Sequence, residues 1–356
     1  MRVLYIIDSL EIGGAQRLIS DLVCNLSVEH KIGIYVLKRV DSYIQEQVLN
    51  VEGISFYCYE SLLSPLHIIR IVRIAKNYDV VHVNLFPALY WAAIAKCFLR
   101  NKRFVYTEHS TFNKRRKYPI LRKVEKWIYG QYDYIVAISN KVRESLLVWI
   151  GNNKRNIVTI NNGVDIRKFT TAKAITKSML GIDDGHVMIF MSARFSAAKD
   201  QSTVVKSFPF LLNNRKIHIV FAGDGPLLEN VKLLAEQMGI SVNIHFLGFR
   251  NDIPEIIKAS DICVLSSKWE GFGLVAVEYM AAGKPVIASN VDGLNDVVRG
   301  AGMLFEQGNE KELAEKINLL IADDSLYNQM SKNCMKRSEL YDLSHMISSY
   351  FSLYRS

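Results

Sequence analysis

The sequence predicts an α/β fold of two doubly wound, parallel-sheet domains, and three observations carry that expectation. Short apolar, β-branched runs alternate with amphipathic helical patterns along almost the whole chain. A polar stretch near the middle interrupts the alternation once. The strand-like runs end in glycine-containing or polar turns, the place where open parallel sheets bind their ligands.

In the first half, VLYII is followed by the turn SLEIGGAQ and by a helical spacing of Leu18, Leu22, Val23 and Leu26. The unit recurs at VVHVNLFP with a helix from about Ala88, at RFVYTEHS, and at YIVAIS before NKVRESLL. The segment IVTINNGVDIRKFTTAK then reads as a linker. Beyond it the alternation resumes: VMIFMSARF, a helix over Val204 to Leu212, HIVFAGDGP, a helix over Leu227 to Met238, NIHFLGF, ICVLSS, a helix around Val275 to Ala282, and PVIAS. We divide the chain into an N-terminal domain (1–165), a C-terminal domain (166–335) and a terminal helix (336–356). The helix carries the stripe Met346, Ile347, Tyr350, Phe351 and Tyr354 and is expected to pack back on the first domain. Two such domains in tandem leave a cleft in which to seek the chemistry.

Composition narrows the class. With 49% hydrophobic and 22% charged residues, the 356-residue chain is globular and long enough for two cores. Its net charge of +9 is confined to residues 1–165, which carry 23 Lys and Arg against 14 Asp and Glu. The first domain is therefore expected to face an anionic partner, either a membrane leaflet, a phosphorylated lipid or a nucleic acid. Five scattered cysteines without a C-x-x-C pair read as reduced and mostly buried. The apolar run of MRVLYIID is too short for a signal sequence, and Ala88–Leu99, interrupted by Lys96, falls short of the roughly 20 residues that cross a bilayer. A cytoplasmic protein, peripheral on the inner face of the membrane, is expected.

The motif richest in chemistry is EGFGLVAVE. Gly271 and Gly273 allow a tight turn, and Leu274 and Val275 open a helix whose free N–H groups and positive dipole end suit an anion. By itself it is either a phosphate-binding loop or an ordinary glycine-rich turn into a helix. Glu270 before the helix and Glu278 within it do not form an acid and base on one face; they suit gripping hydroxyls on one ligand. Arg194 and Lys199 follow VMIFMSA, where cations would stabilise a departing diphosphate. Gly223, Asp224 and Gly225 form another turn after a strand. In the first half, Gly13 and Gly14 follow the first strand, His109 ends another in TEHS, and His82 and Asn84 end the one before it. There is neither a full G-x-G-x-x-G nor a G-x-x-x-x-G-K-[ST], which weakens dehydrogenase and P-loop readings, and no spacing suggests a metal site. The basic run NKRRKYPILRKVEKWIYG contains Lys114, Arg115, Arg116, Lys117, Arg122, Lys123 and Lys126, with Leu121, Val124, Trp127 and Ile128 at helical spacing. It is either a solvated face over a packed helix or an interfacial helix on anionic lipid; nucleic-acid binding is less supported, since no recognised module accompanies the charge.

Taken in order, these segments resemble glycosyltransferase family 4 from Tyr5 to the tail: IGGAQR as its first glycine loop, INNGVDIRKF with Asn162, Gly163, Val164, Asp165 and Phe169 as its linker motif, Arg194 and Lys199, FAGDGP, and EGFGLVAVE with two glutamates seven residues apart. The chain departs from the family at Ser192, Ala193, Asp200 and Asp292, where glycine is common. The resemblance implies a GT-B fold of two facing Rossmann-like domains and retaining transfer of a sugar from a nucleotide-diphosphate donor, UDP- or GDP-linked, without a metal or other cofactor. It implies that Glu278 binds the ribose, Glu270 the transferred sugar, the backbone of Phe272 to Val275 the phosphates, and that His109 lies beside the sugar with Gly14 near the phosphate. The departing phosphate would itself take the acceptor proton. The expected partners are the nucleotide sugar, a glycan or polyprenyl-diphosphate-linked acceptor and an anionic membrane surface, with no nucleic acid. A GT-B nucleotide-sugar epimerase and a non-enzymatic nucleic-acid-binding protein are the alternatives.

Overall fold

The computed structural model describes residues 1–111, 113–151, 156–212 and 216–356, with the side chain of Lys114 outside that description. The chain forms two compact units, Met1–Gly163 with Leu343–Ser356, and Val164–Asp342.

The first unit holds strands β1 (Arg2–Ile7), β2 (Lys31–Val36), β3 (Ile54–Cys58), β4 (Val80–Asn84), β5 (Arg103–Glu108), β6 (Tyr134–Ala137) and β7 (Ile157–Thr159). They pair in the order β3-β2-β1-β4-β5-β6-β7, all parallel. The second unit holds β8 (Val187–Ser192), β9 (Ile217–Ala222), β10 (Ile244–Phe246), β11 (Ile262–Leu265), β12 (Val286–Ser289) and β13 (Met303–Phe305). Their order is β10-β9-β8-β11-β12-β13, again parallel. In each sheet the order of strand addition reverses next to its first strand, at β1/β4 and at β8/β11, and the crevice beyond those carboxyl ends is where a doubly wound sheet receives a ligand. The central strands are apolar throughout because helices cover both faces; Val3–Ile7 are fully buried, whereas the edge strand β3 is only half-buried.

Several expected helices end differently. The one placed over Val204–Leu212 is an α-helix over Gln201–Ser207 followed by a 3₁₀ turn at Phe208–Phe210. Pro209 accounts for this, since it lacks an N–H and disfavours α geometry in the residue before it. The terminal segment expected as one unit from 336 is divided. A helix over Asp324–Glu339 stays with the second unit, and only Leu343–Arg355 belongs to the first. The second unit begins at Val164, two residues before the expected boundary.

That last helix is docked on the first sheet through polar contacts as well as apolar ones. It buries Met346, Tyr350, Phe351 and Tyr354, with Ile347 half-buried. The Tyr354 hydroxyl lies 3.1 Å from the Tyr5 hydroxyl and 2.5 Å from His82 Nδ1. His82 Nε2 is 2.7 Å from Thr107 Oγ1, which is 3.1 Å from the Tyr350 hydroxyl. Burial pushes the His82 pKa down to about 3. In the second unit, His186, His218 and His245 form a row near the amino ends of β8, β9 and β10, with ring nitrogens 3.0 and 2.9 Å apart. Burial lowers the pKa of both His218 and His245.

Two outcomes follow from these contacts. Tyr354→Phe strands His82 Nδ1 and the Tyr5 hydroxyl without a partner, and a buried group left unpaired costs about 1–3 kcal/mol; urea titration of the variant should give a midpoint lowered accordingly. His218 and His245 take up protons more readily in the unfolded chain, so their contribution is complete above the ordinary imidazole value of about 6.5 and is lost as pH falls below it. Melting curves at about pH 7.5 and about pH 5.5 should therefore show a larger drop for the wild-type chain than for His218→Gln.

Candidate functional site

In the second unit the segment after β8 turns back beneath the segment after β11. The Ser266 hydroxyl donates to the carbonyls of Lys199 (3.0 Å) and Asp200 (2.9 Å), and the Lys268 amide donates to that of Ala198 at 2.7 Å. Asp200 is held at φ +49, a left-handed conformation that a glycine would adopt without cost. The fold thereby brings Lys199 to Glu270: the ammonium contacts Oε1, which also accepts from the Ser267 hydroxyl at 2.9 Å. Both side chains are mostly buried, 23% and 15% exposed. Arg194 is exposed and has no ion-pair partner among the described residues.

Two glycine turns close around these groups. Gly223 and Gly225 have φ of +133° and +154°, and a Cβ on either would fall 2.3 Å from the Ala193 carbonyl or 2.4 Å from that of Phe195. The Gly223-Asp224-Gly225 turn therefore lies directly on the backbone that carries Arg194, and the Phe195 amide donates to the Asp224 carbonyl at 2.9 Å. Gly273, at φ +92, precedes the helix Leu274–Ala281; a Cβ there would lie 2.5 Å from Leu294 Cδ2. Leu274 and Val275 supply the helix's first amides, which have no partner within the helix. Phe272 is buried against Tyr341, so its backbone rather than its ring is available, and Glu278 is 7% exposed within the helix. Gly271 lies in the turn between Glu270 and Phe272.

In the first unit, Gly13 is extended at φ −171 and caps the helix Gly14–Leu26. At the end of β1, the Asp8 carboxylate accepts from the Ser9 amide at 2.7 Å, and burial raises its pKa to about 6. His109, one residue beyond β5, has Nε2 3.0 Å from Asn84 Oδ1. Asn84 is fully buried; its Nδ2 and His109 Nδ1 have no hydrogen-bond partner. Burial pushes the His109 pKa down to about 4. Asn162, 3% exposed, likewise has an unpartnered Oδ1. Sequence reasoning placed Asn84 at a strand end without choosing it and passed over Asp8. The signal for both is position, since each sits at the carboxyl end of a strand flanking the β1/β4 reversal.

The basic segment differs from its expected form. The helix Leu121–Gly130 buries Glu125, Ile128 and Tyr129, and leaves Val124 and Trp127 about half exposed, at 48% and 49%. Arg115 and Arg116 do not face outward, which corrects their expected place on a membrane-facing surface. Glu125 is wholly buried and accepts from Arg115 Nε (2.6 Å), the Tyr90 hydroxyl (2.8 Å) and Trp149 Nε1 (2.5 Å). Glu108 accepts from the Tyr129 hydroxyl at 2.7 Å and pairs with Arg116 at 3.4 Å. A buried carboxylate needs a charged partner, and these two arginines supply it. Lys117, Arg122, Lys123 and Lys126 are exposed together with Tyr118, Ile120, Val124 and Trp127, although Arg122 also donates to the carbonyls of Trp149 and Val148. The expected contact at Lys114 lies outside the described side chains.

All five cysteines are free, but only Cys263 and Cys334 are buried, fewer than expected. Among the described residues no helix is long and apolar enough to cross a membrane, and no group of three His, Cys, Asp or Glu is arranged to hold a metal ion.

Residues 12–168 match the family model described as Glycosyltransferase Family 4, and residues 173–337 match that described as Glycosyl transferases group 1. The UDP-Gal:alpha-D-GlcNAc-diphosphoundecaprenol alpha-1,3-galactosyltransferase of Escherichia coli is 30% identical over 74% of this chain and 71% of its own. The N-acetyl-alpha-D-glucosaminyl L-malate synthase of Bacillus anthracis is 26% identical over 78% and 75%. In fold, the chain resembles Anabaena HepE, crystallised in complex with UDP-glucose, with a TM-score of 0.86 over 99% of both chains at 23% identity. It also resembles WaaG, a glycosyltransferase involved in lipopolysaccharide biosynthesis, with a TM-score of 0.75 over 99% of both chains at 14% identity. With two Rossmann-like parallel sheets and matches to both halves of the family, this chain belongs to glycosyltransferase family 4 and has the GT-B fold.

Proposed function

We propose that the chain moves a sugar from a UDP- or GDP-linked donor to a hydroxyl of a lipid-linked or polysaccharide-precursor glycan, with retention of anomeric configuration and without a metal. The observation that carries this reading is the Lys199–Glu270 pair beside the glycine-entered helix Leu274–Ala281. Cations and unpaired helix amides suit a leaving diphosphate, and a carboxylate suits gripping sugar hydroxyls. The activities named for the Escherichia coli galactosyltransferase and the Bacillus anthracis synthase support sugar transfer, and the former name includes a diphosphoundecaprenol acceptor.

In this reading Arg194, Lys199 and the amides of Leu274 and Val275 stabilise the negative charge that grows on the diphosphate as its bond to the anomeric carbon breaks. Glu278 accepts from the ribose hydroxyls and Glu270 from those of the sugar. The acceptor oxygen bonds to the anomeric carbon on the face the diphosphate leaves, and its proton passes to the departing phosphate oxygen. The nucleoside diphosphate is released, and no side chain has to act as base.

The first unit takes the acceptor. Tyr118, Ile120, Val124 and Trp127, exposed among Lys117, Lys123 and Lys126, suit an anionic leaflet carrying a lipid-linked glycan, which supports a peripheral position on the inner face of the membrane.

Product formation from UDP- and GDP-sugars with a polyprenyl-diphosphate-linked glycan, assayed in chelator, tests the reaction. Lys199→Ala should lower kcat by about 100- to 1,000-fold, and Glu278→Ala should raise the donor KM by about tenfold. An absolute requirement for added divalent metal, an inverted product, or interconversion of the donor without acceptor would each contradict the reading. Flotation with anionic vesicles tests the surface. Each basic residue near the leaflet contributes about 1 kcal/mol, so Lys123→Ala should weaken binding several-fold; Trp127→Ala should weaken it too by removing an interfacial ring, and binding indifferent to lipid charge would contradict the reading.

A further inference from the structure

At the carboxyl ends of β4 and β5, Asn84 and His109 form a hydrogen-bonded pair. Each member keeps one buried polar atom without a partner, Nδ2 of the asparagine and Nδ1 of the histidine. Two orphaned polar atoms in one buried pair are a costly arrangement unless a ligand completes them. Their chemistry restricts that ligand. The Asn84 oxygen can only accept, so the histidine nitrogen facing it carries the proton, and the other ring nitrogen then holds a lone pair. A phosphate dianion has no proton to offer such a nitrogen, whereas a sugar hydroxyl does. The Asn84 amide N–H can donate to a second ligand oxygen.

We propose that Asn84 is a positioning residue that fixes His109 as its Nε2–H tautomer, so that Nδ1 accepts a hydrogen bond from one hydroxyl of a bound sugar while Asn84 Nδ2 donates to a neighbouring sugar oxygen. The sugar clause rests on the proposed function; the tautomer clause stands on the pair alone.

The surroundings keep the imidazole neutral. Burial holds the His109 pKa near 4. His82, two residues before Asn84 on β4, is neutral as well and is satisfied by Tyr354 and Thr107. On β5 the adjacent Glu108 is paired with Arg116 and Tyr129, and Arg115 is turned to Glu125. Asp8 follows the neighbouring strand β1, where burial raises its pKa to about 6 and its carboxylate accepts from the Ser9 amide.

The test reads His109 directly in the full chain labelled with ¹⁵N-histidine, its resonances assigned by their loss in His109→Gln. The ligand-free protein should show an Nε2–H tautomer that does not titrate above about pH 5. Asn84→Asp keeps an acceptor at Nε2 but adds a negative charge, which raises a neighbouring imidazole pKa by about 1–3 units. The acid limb of kcat/KM should move up by the same amount, with much of the activity restored above it. An Nδ1–H tautomer in the wild-type chain overturns the proposal even if the variant does not fold, and so does an acid limb unmoved by Asn84→Asp. The predicted tautomer in a chain that transfers no sugar overturns the sugar clause together with the proposed function, whereas a working transferase with the opposite tautomer overturns this inference alone.

Discussion

Both sheets are entirely parallel, and the placement of every candidate functional group depends on that constraint. In a parallel sheet all strands end at one edge, and the following helices begin there with their unpaired amides. The Lys199–Glu270 pair exists because β8 and β11 are neighbours, so residues about 70 positions apart in sequence leave the sheet side by side. The Asn84–His109 pair arises in the same way from β4 and β5. The turns that follow need glycine where backbone runs against backbone, as at Gly223 and Gly225, and the chain accepts a strained Asp200 where it has no glycine.

Within the first unit, buried charge and hydroxyl networks rather than apolar packing alone fix the outer elements. The last helix is held by tyrosine hydroxyls on His82 and Thr107, so the end of the chain is tied to central strands of the first sheet. On the other side of β5, Glu108 and Glu125 draw Arg116 and Arg115 inward. Satisfying those carboxylates leaves the next helix with its tryptophan and valine outward. A surface both apolar and basic thus follows from an internal electrostatic demand.

Much of this was legible in the sequence. The alternation of apolar runs and helical spacing gave the strand order its raw material, and the ordered motifs identified the family, because backbone constraints at a ligand site leave local signatures. What was not legible is long-range. Nothing near Arg115 signals that Glu125 will be buried without another cation, so a run of like charges read as a solvated or membrane-facing surface. The terminal helix was recognised from its apolar stripe, but its start at Leu343 depends on where the chain leaves the second unit. Asn84 looked like an ordinary strand end, since its importance comes from facing His109, a residue on another strand.

The central claim is that the second unit holds a nucleoside diphosphate through the segment after β8, the Gly223–Gly225 turn and the Glu270–Glu278 stretch. Hydrogen–deuterium exchange of the full chain in chelator, with and without the nucleotide sugar, addresses it most directly. The account predicts slowed exchange concentrated in those three segments. Protection absent from them while the ligand demonstrably binds would contradict it.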